Sequence, residues 1–216
     1  MTEHVFEPMR RAMVASQLRT TGVNDPRVVA AMAEVPRERF VPAERCALAY
    51  ADALVPLGHG RSLNPPMALG RMLTEARLSG SERALVIGAA TGYSAAVLAR
   101  LAASVVALEQ QPELAAFTRR ALDGSRVELV EGPLTAGWPD GAPYDFILID
   151  GAVELVPEAI LAQIADGGQF ALALIDDGVT RLCVGRVVAG AFGATAFSDA
   201  AAAALPGFVK PRGFSF

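Results

Sequence analysis

Arg83-Ala84-Leu85-Val86-Ile87-Gly88-Ala89-Ala90-Thr91-Gly92-Tyr93-Ser94-Ala95-Ala96-Val97-Leu98-Ala99-Arg100 decides the fold. It begins as a short apolar run, breaks at a loop of small residues, and resumes with helical composition. Strand, tight loop and helix open a βαβ unit. A loop without bulky side chains lets a ligand come close to the backbone, and the N–H groups at its end are free to bond an anion or a polar group. A second apolar run, Ser104-Val105-Val106-Ala107-Leu108-Glu109, follows and ends in a carboxylate. Glu109 stands 21 positions after Gly88, about the separation at which an acidic residue meets the ribose hydroxyls of a nucleotide. The loop by itself is equally well explained as a plain turn; loop, spacing and acidic strand end together point to a nucleotide-like ligand.

Outward from this unit, the chain keeps alternating. A helix is expected over 66–77 before it and another from Pro112 to about Leu122 after it. Arg126–Val130 alternates like a strand, and Tyr144–Ile149 is a central strand with Asp150 at its carboxyl end. Open parallel sheets place ligands at that edge, so Asp150 is a site candidate, with a helix cap or a loop bond as the alternative. A helix over Pro157–Ile164 and a strand over Gly167–Ile175 continue the order. Two late strands, Val179–Val188 and Ala194–Ser198, are expected to pair antiparallel, and Leu205–Phe216 to form a last edge strand anchored by Phe214 and Phe216. Before the central unit, residues 5–20 and the stretch from Pro26 carry helical apolar stripes. Asn24 or Asp25 is placed to cap the second helix, with Pro26 at its first position.

Composition narrows the function classes. The chain has 216 residues, 52% of them hydrophobic, which suits an α/β domain whose central strands are buried on both faces. A net charge of −4 argues against a nucleic-acid partner. Asp52, Arg100 and Glu109 interrupt the longest apolar runs, so no membrane span is expected, and the cytoplasm is the expected compartment. Cys46 and Cys183 have no metal-ligand spacing and read as core thiols; no metal is expected.

Val86-Ile87-Gly88-Ala89-Ala90-Thr91-Gly92-Tyr93 resembles the first motif of S-adenosylmethionine-dependent methyltransferases, and within them the protein-L-isoaspartate O-methyltransferases, whose pattern reads roughly Glu-Ile-Gly-Thr-Gly-Ser-Gly-Tyr. The order Gln17-Leu18-Arg19, Asp25-Pro26-Arg27-Val28 and Val35-Pro36-Arg37-Glu38-Arg39-Phe40-Val41-Pro42 resembles the N-terminal extension of the same enzymes, a feature general methyltransferases lack. The resemblance implies a doubly wound, mostly parallel seven-stranded sheet with an N-terminal helical extension. It also implies one domain over 1–216, with a helical cap and substrate-mouth segment over 1–78 and a cofactor-binding core over 79–216. Its implied cofactor is S-adenosylmethionine, and its implied partners are damaged proteins or peptides bearing isoaspartyl residues. Gly88, Ala90, Gly92, Glu109 and Asp150 are the cofactor-side candidates. Leu54–Pro66 resembles the family's substrate mouth, in which Ser62 matches a threonine and Asn64 matches the serine given the catalytic role. Asn64 and Ser62 are therefore the catalytic candidates.

Four departures from the pattern bear on the site. Val86 replaces the glutamate, Ala90 the middle glycine, Pro133 an adenine-facing aspartate, and Asn64 the serine. Asn can orient a carboxylate through its NH₂ but cannot relay a hydroxyl proton. Restoring serine at 64 is expected to leave turnover intact or raise it. The departures also keep a second reading open, a methyltransferase fold retained as a binding or regulatory module. A nicotinamide oxidoreductase is a weaker third, because Gly88-Ala89-Ala90-Thr91-Gly92 lacks the Gly-x-Gly-x-x-Gly spacing. His59, alone in its loop, is a possible base but more simply an exposed side chain.

Overall fold

A computed structural model of the chain describes residues 5–210. Its central strand is Arg83–Ile87, where Ala84, Leu85, Val86 and Ile87 are all fully buried. Such a run, apolar at every position, fits only a strand covered on both faces. Nine strands are present among the described residues: β1 Val55–Gly58, β2 Arg61–Leu63, β3 Arg83–Ile87, β4 Ser104–Glu109, β5 Val127–Glu131, β6 Tyr144–Val153, β7 Ile164–Asp176, β8 Val179–Val188 and β9 Ala191–Asp199. β1 and β2 form a separate antiparallel pair, and the other seven make one sheet in the order β5-β4-β3-β6-β7-β8-β9. β5 through β7 pair in parallel, whereas β8 and β9 turn back as antiparallel hairpins. The fold is thus the expected mostly parallel seven-stranded α/β sheet with an antiparallel end.

Alternate residues of the strands build two cores. Val86, Ala107, Phe146 and Leu148 face the N-terminal helices, while Leu85, Ile87, Leu108, Ile147 and Ile149 face the opposite layer. The helices are α1 Glu7–Met13, α2 Pro26–Glu34, α3 Pro66–Ala76, α4 Tyr93–Leu98, α5 Pro112–Ala121 and the single turn α6 Glu158–Leu161. Asp25 caps α2 by accepting from the Arg27 and Val28 amides at 2.8 and 3.4 Å, with Pro26 at the first position. α1 passes through a π-helical turn at Val14–Leu18 and a 3₁₀ turn at Arg19–Thr21 before Gly22 stops it at φ 90°.

Three expectations change. The helix over Pro157–Ile164 is only Glu158–Leu161, because the Gln163 carbonyl accepts from the Tyr144 amide at 2.8 Å and Ile164 already begins β7. Of the expected edge strand, the described residues 205–210 form none. Ala204 instead bridges Ala152 beside β6, where Leu205 and Phe208 bury their side chains; Phe214 and Phe216 lie outside the described residues. Cys46 is only partly buried, although Cys183 is buried as expected. The β1–β2 hairpin has no counterpart in the sequence reading, since Pro56 and the glycines at 58 and 60 break the alternation that marks a strand.

Candidate active site

The order of the sheet fixes where a ligand can sit. Chain connections run outward from β3 to β4 and β5 on one side, and the chain then returns to β6 on the other. The crevice beyond the carboxyl ends of β3 and β6 is therefore the topological switch point, the usual ligand place in an open α/β sheet. The Gly88–Gly92 loop closes one wall. Gly88 and Gly92 hold φ of 81° and 95°, and both the Gly88 and Ala89 amides bond the Leu108 carbonyl at 3.0 Å. Ala90 also stands at positive φ, 52°, where a side chain is strained. Its amide donates to Glu109 at 2.7 Å, and its carbonyl accepts from the Thr118 hydroxyl at 2.7 Å. These bonds hold the unfavourable backbone in place. Ala90→Gly removes the strain, and the expected result is a net gain of up to about 1 kcal/mol, seen as a melting temperature up to about 4 °C higher; a lower melting temperature would contradict the reading.

Gly92 faces away from the crevice. A Cβ there would lie 2.8 Å from Thr118 Cγ2, so this glycine serves the contact between the loop and α5. The N-terminal extension locks the same loop from the other side. Thr91 Oγ1 donates to the Phe40 carbonyl at 2.6 Å, and the Phe40 and Tyr93 rings meet edge to face at 5.6 Å. Arg37, 1% exposed, lies over the Tyr93 ring at 4.5 Å and donates to the carbonyls of Ala49 and Asn64. Burial lowers its pKa from the ordinary arginine value, and Tyr93, then the Asp150 charge, partly offset that. Burial likewise raises the pKa of Tyr93.

Glu109 is completely buried at the end of β4. Its oxygens accept from the amides of Ala90, Gln110 and Gln111 at 2.7–3.0 Å, and from Arg61 Nη1 at 2.8 and 3.0 Å. The other Arg61 nitrogen donates to the Gly88 carbonyl at 2.9 Å. Gly88 oxygen and the Glu109 carboxylate are thus presented toward one donor-bearing group from two adjacent strands. Sequence reasoning named both acceptors but missed Arg61, whose partner lies 48 positions away with no local signal to announce it.

Asn64 and Asp150 also come together. Asn64 Nδ2 donates to Asp150 Oδ1 at 2.8 Å, and Asn64 Oδ1 accepts from the Ala203 amide at 2.8 Å. Asp150 is thus bonded by a side chain and caps no helix. Ser62 is half-buried opposite Pro56 in the hairpin and stands apart from that bond. His59 is 43% exposed on its side chain with Glu113 3.9 Å away, as its loop position suggested. Pro133 leads into the 3₁₀ turn Leu134–Ala136, whose first amide reaches Gln110 Oε1 at 3.5 Å. Among the described residues no group of three or more His, Cys, Asp or Glu could hold a metal ion.

This geometry is accompanied by a clear kinship. The profile of the protein-L-isoaspartate(D-aspartate) O-methyltransferase family matches residues 9–182. The chain belongs to this family. A protein-L-isoaspartate O-methyltransferase 1 of Rhodopseudomonas palustris is 40% identical over 181 residues, spanning 82% of this chain and 74% of its own. A protein-L-isoaspartate O-methyltransferase 2 of Marinobacter nauticus is 41% identical over 186 residues, 83% of this chain and 84% of its own. Two solved family structures share the fold. One, a protein-L-isoaspartate O-methyltransferase, superposes with a TM-score of 0.80 at 22% identity over 92% of this chain and 66% of its own. The other, from Plasmodium falciparum and in complex with S-adenosyl-L-homocysteine, gives 0.75 at 18% identity over 91% and 97%. The family match spans both the N-terminal extension that grips the loop and the strands that carry Glu109 and Asp150. No helix among the described residues is long and apolar enough to cross a membrane.

Proposed function

We propose that the chain is an S-adenosylmethionine-dependent carboxyl methyltransferase acting on L-isoaspartyl residues of damaged proteins and peptides. The observation that carries this reading is the pair of buried acceptors, Gly88 carbonyl and Glu109 carboxylate, aimed at one place beside the switch-point crevice. Three amides hold the Glu109 side chain in one orientation, so it suits the vicinal hydroxyls of a ribose. The cofactor, when bound, supplies an activated methyl on a sulfonium. An isoaspartyl carboxylate is ionised near neutral pH and needs no base, which leaves positioning and exclusion of water to the protein. Asn64, held by Asp150 and with its own carbonyl tied to Arg37, is a fixed polar group at the mouth of that crevice. Ser62 is assigned to the mouth segment and not to the chemistry.

Val86 and Pro133 bring no polar group to the cofactor, two lost contacts that at about 1 kcal/mol each weaken affinity by roughly thirtyfold, and Ala90 adds a methyl group where the pattern has none. One observation favours the second reading, a binding module without turnover: Arg61 and Leu205 fill the crevice. Methyl incorporation into an isoaspartyl peptide, with cofactor in large excess, decides between them. Robust turnover is the expected result; no incorporation together with no cofactor binding would overturn the enzyme reading.

Asn64→Ser has more to replace than a hydroxyl supplies. A serine side chain is too short to span from Asp150 to the Ala203 amide, and two buried hydrogen bonds are lost at about 0.5–1.5 kcal/mol each. The expected result is a stability loss of about 1–3 kcal/mol with faster hydrogen exchange at Ala203, measurable whether or not turnover rises. An unchanged melting temperature would show that the carboxamide is not a structural link.

A further inference from the structure

We propose that Arg61 and Leu205 set the cofactor affinity of this chain by occupying its cofactor crevice themselves, so that binding is an exchange in which both leave. The exchange rests on the cofactor-site reading given above. Two independent contacts support it. The first is polar: the Arg61 guanidinium, 3% exposed on its side chain, takes both of the acceptors that the crevice offers, Glu109 and the Gly88 carbonyl. A ribose that reaches Glu109 must displace that guanidinium, since the carboxylate's remaining bonds are already made to Ala90, Gln110 and Gln111.

The second contact is steric. Leu205 packs between the ends of the two strands that define the switch point. A Cβ placed on Gly88 would lie 3.0 Å from Leu205 Cδ2, and one placed on Gly151 would lie 2.5 Å from Leu205 Cγ. Its side chain is 4% exposed, although it comes from a segment outside the main sheet. That segment is held by one bridge, a few flanking hydrogen bonds, one of them from the Glu154 amide to the Phe208 carbonyl at 2.9 Å, and the buried Phe208 ring. The Ala152 amide bonds the Ala203 carbonyl at 2.7 Å, Leu205 returns to the Ala152 carbonyl at 2.9 Å, and Asn64 takes the Ala203 amide. A single-residue bridge with a few flanking bonds opens far more easily than a ladder within the seven-stranded sheet. Release of Leu205 uncovers the backbone of Gly88, where no side chain of its own blocks a ligand.

A closed form that binds no cofactor lowers apparent affinity by the fraction of molecules that are open. If about 1–10% are open, removing an occupant tightens binding by roughly ten- to a hundredfold. The test is titration of S-adenosylhomocysteine into the full chain and into the Arg61→Met and Leu205→Ala variants, with hydrogen exchange of the wild type at saturation. Arg61→Met keeps an apolar stem and leaves Glu109 its three amide donors. Tighter binding by Arg61→Met, a smaller gain by Leu205→Ala, and faster exchange of the Ala152 and Leu205 amides in the saturated wild type are the expected results. Should Arg61→Met fail to fold, Leu205→Ala, which keeps the ion pair, and the exchange measurement give the answer. Binding by the wild type with no gain in either folded variant, or slower exchange of those two amides, overturns the exchange and leaves the cofactor site standing. No binding by any of the three proteins overturns both.

Discussion

Replacing Glu109 with alanine is expected to destabilise the protein by about 3–5 kcal/mol, the usual cost of leaving one member of a buried ion pair without its partner. The stranded charge is Arg61, whose side chain is 3% exposed, and three amides lose their acceptor at the same time. At about 2–4 °C per kcal/mol for a chain of this length, the melting temperature falls by roughly 6–20 °C. Affinity of the surviving folded protein for S-adenosylhomocysteine falls by roughly ten- to a hundredfold, the scale of one charge-assisted bond. The double variant Glu109→Ala with Arg61→Met separates the two effects. It recovers a good part of the stability, because no buried charge remains, but not the ribose contact that Glu109 supplies. A double variant as unstable as Glu109→Ala alone would show that the ion pair is not the source of the loss.

Arg37→Ala carries the second large effect. Its guanidinium satisfies the buried carbonyls of Ala49 and Asn64 and fills the space over the Tyr93 ring. Orphaning two buried carbonyls costs about 1–3 kcal/mol each, offset in part by no longer burying a cation, for a net loss of about 2–5 kcal/mol. The damage also reaches the site. Arg37 is the link between the N-terminal extension and the backbone of Asn64, so isoaspartyl peptide should bind less tightly while cofactor binding changes little. Thermal unfolding and a comparison of the Michaelis constants for peptide and cofactor check both parts. A loss for the cofactor alone would place Arg37 on the loop and not on the mouth.

The strands and the acceptors were legible in the sequence because their signals are local. Ala84–Ile87 is apolar without interruption, and Glu109 closes the next strand at a spacing set by one βαβ unit. Asp25 and Pro26 announced the start of α2 in the same way. What stayed hidden depends on pairs far apart in the chain. Arg61 reads as one more polar residue in a glycine-rich turn until the fold brings it to Glu109. Arg37 stands in a proline-bounded turn of the family-like extension, where nothing local says that it is buried. Leu205 looked like part of an edge strand, because nothing nearby says that its place is the crevice beyond β6. Asn64 could be matched to a family position, but its two partners, 86 and 139 positions away, could not.

Those two separations also say something about how the molecule comes to exist. The carboxamide of Asn64 closes two long loops at once, and its second partner, Ala203, follows β9 in the chain. Contacts this distant form slowly, since chain entropy must be spent before any bond is made. Synthesis runs from the N-terminus, so every strand of the sheet is available before the residue that completes the mouth. By sequence separation, the contacts of Asn64 are expected to form after the strands that carry the sheet have paired, so the order in which the molecule is assembled runs from sheet to mouth.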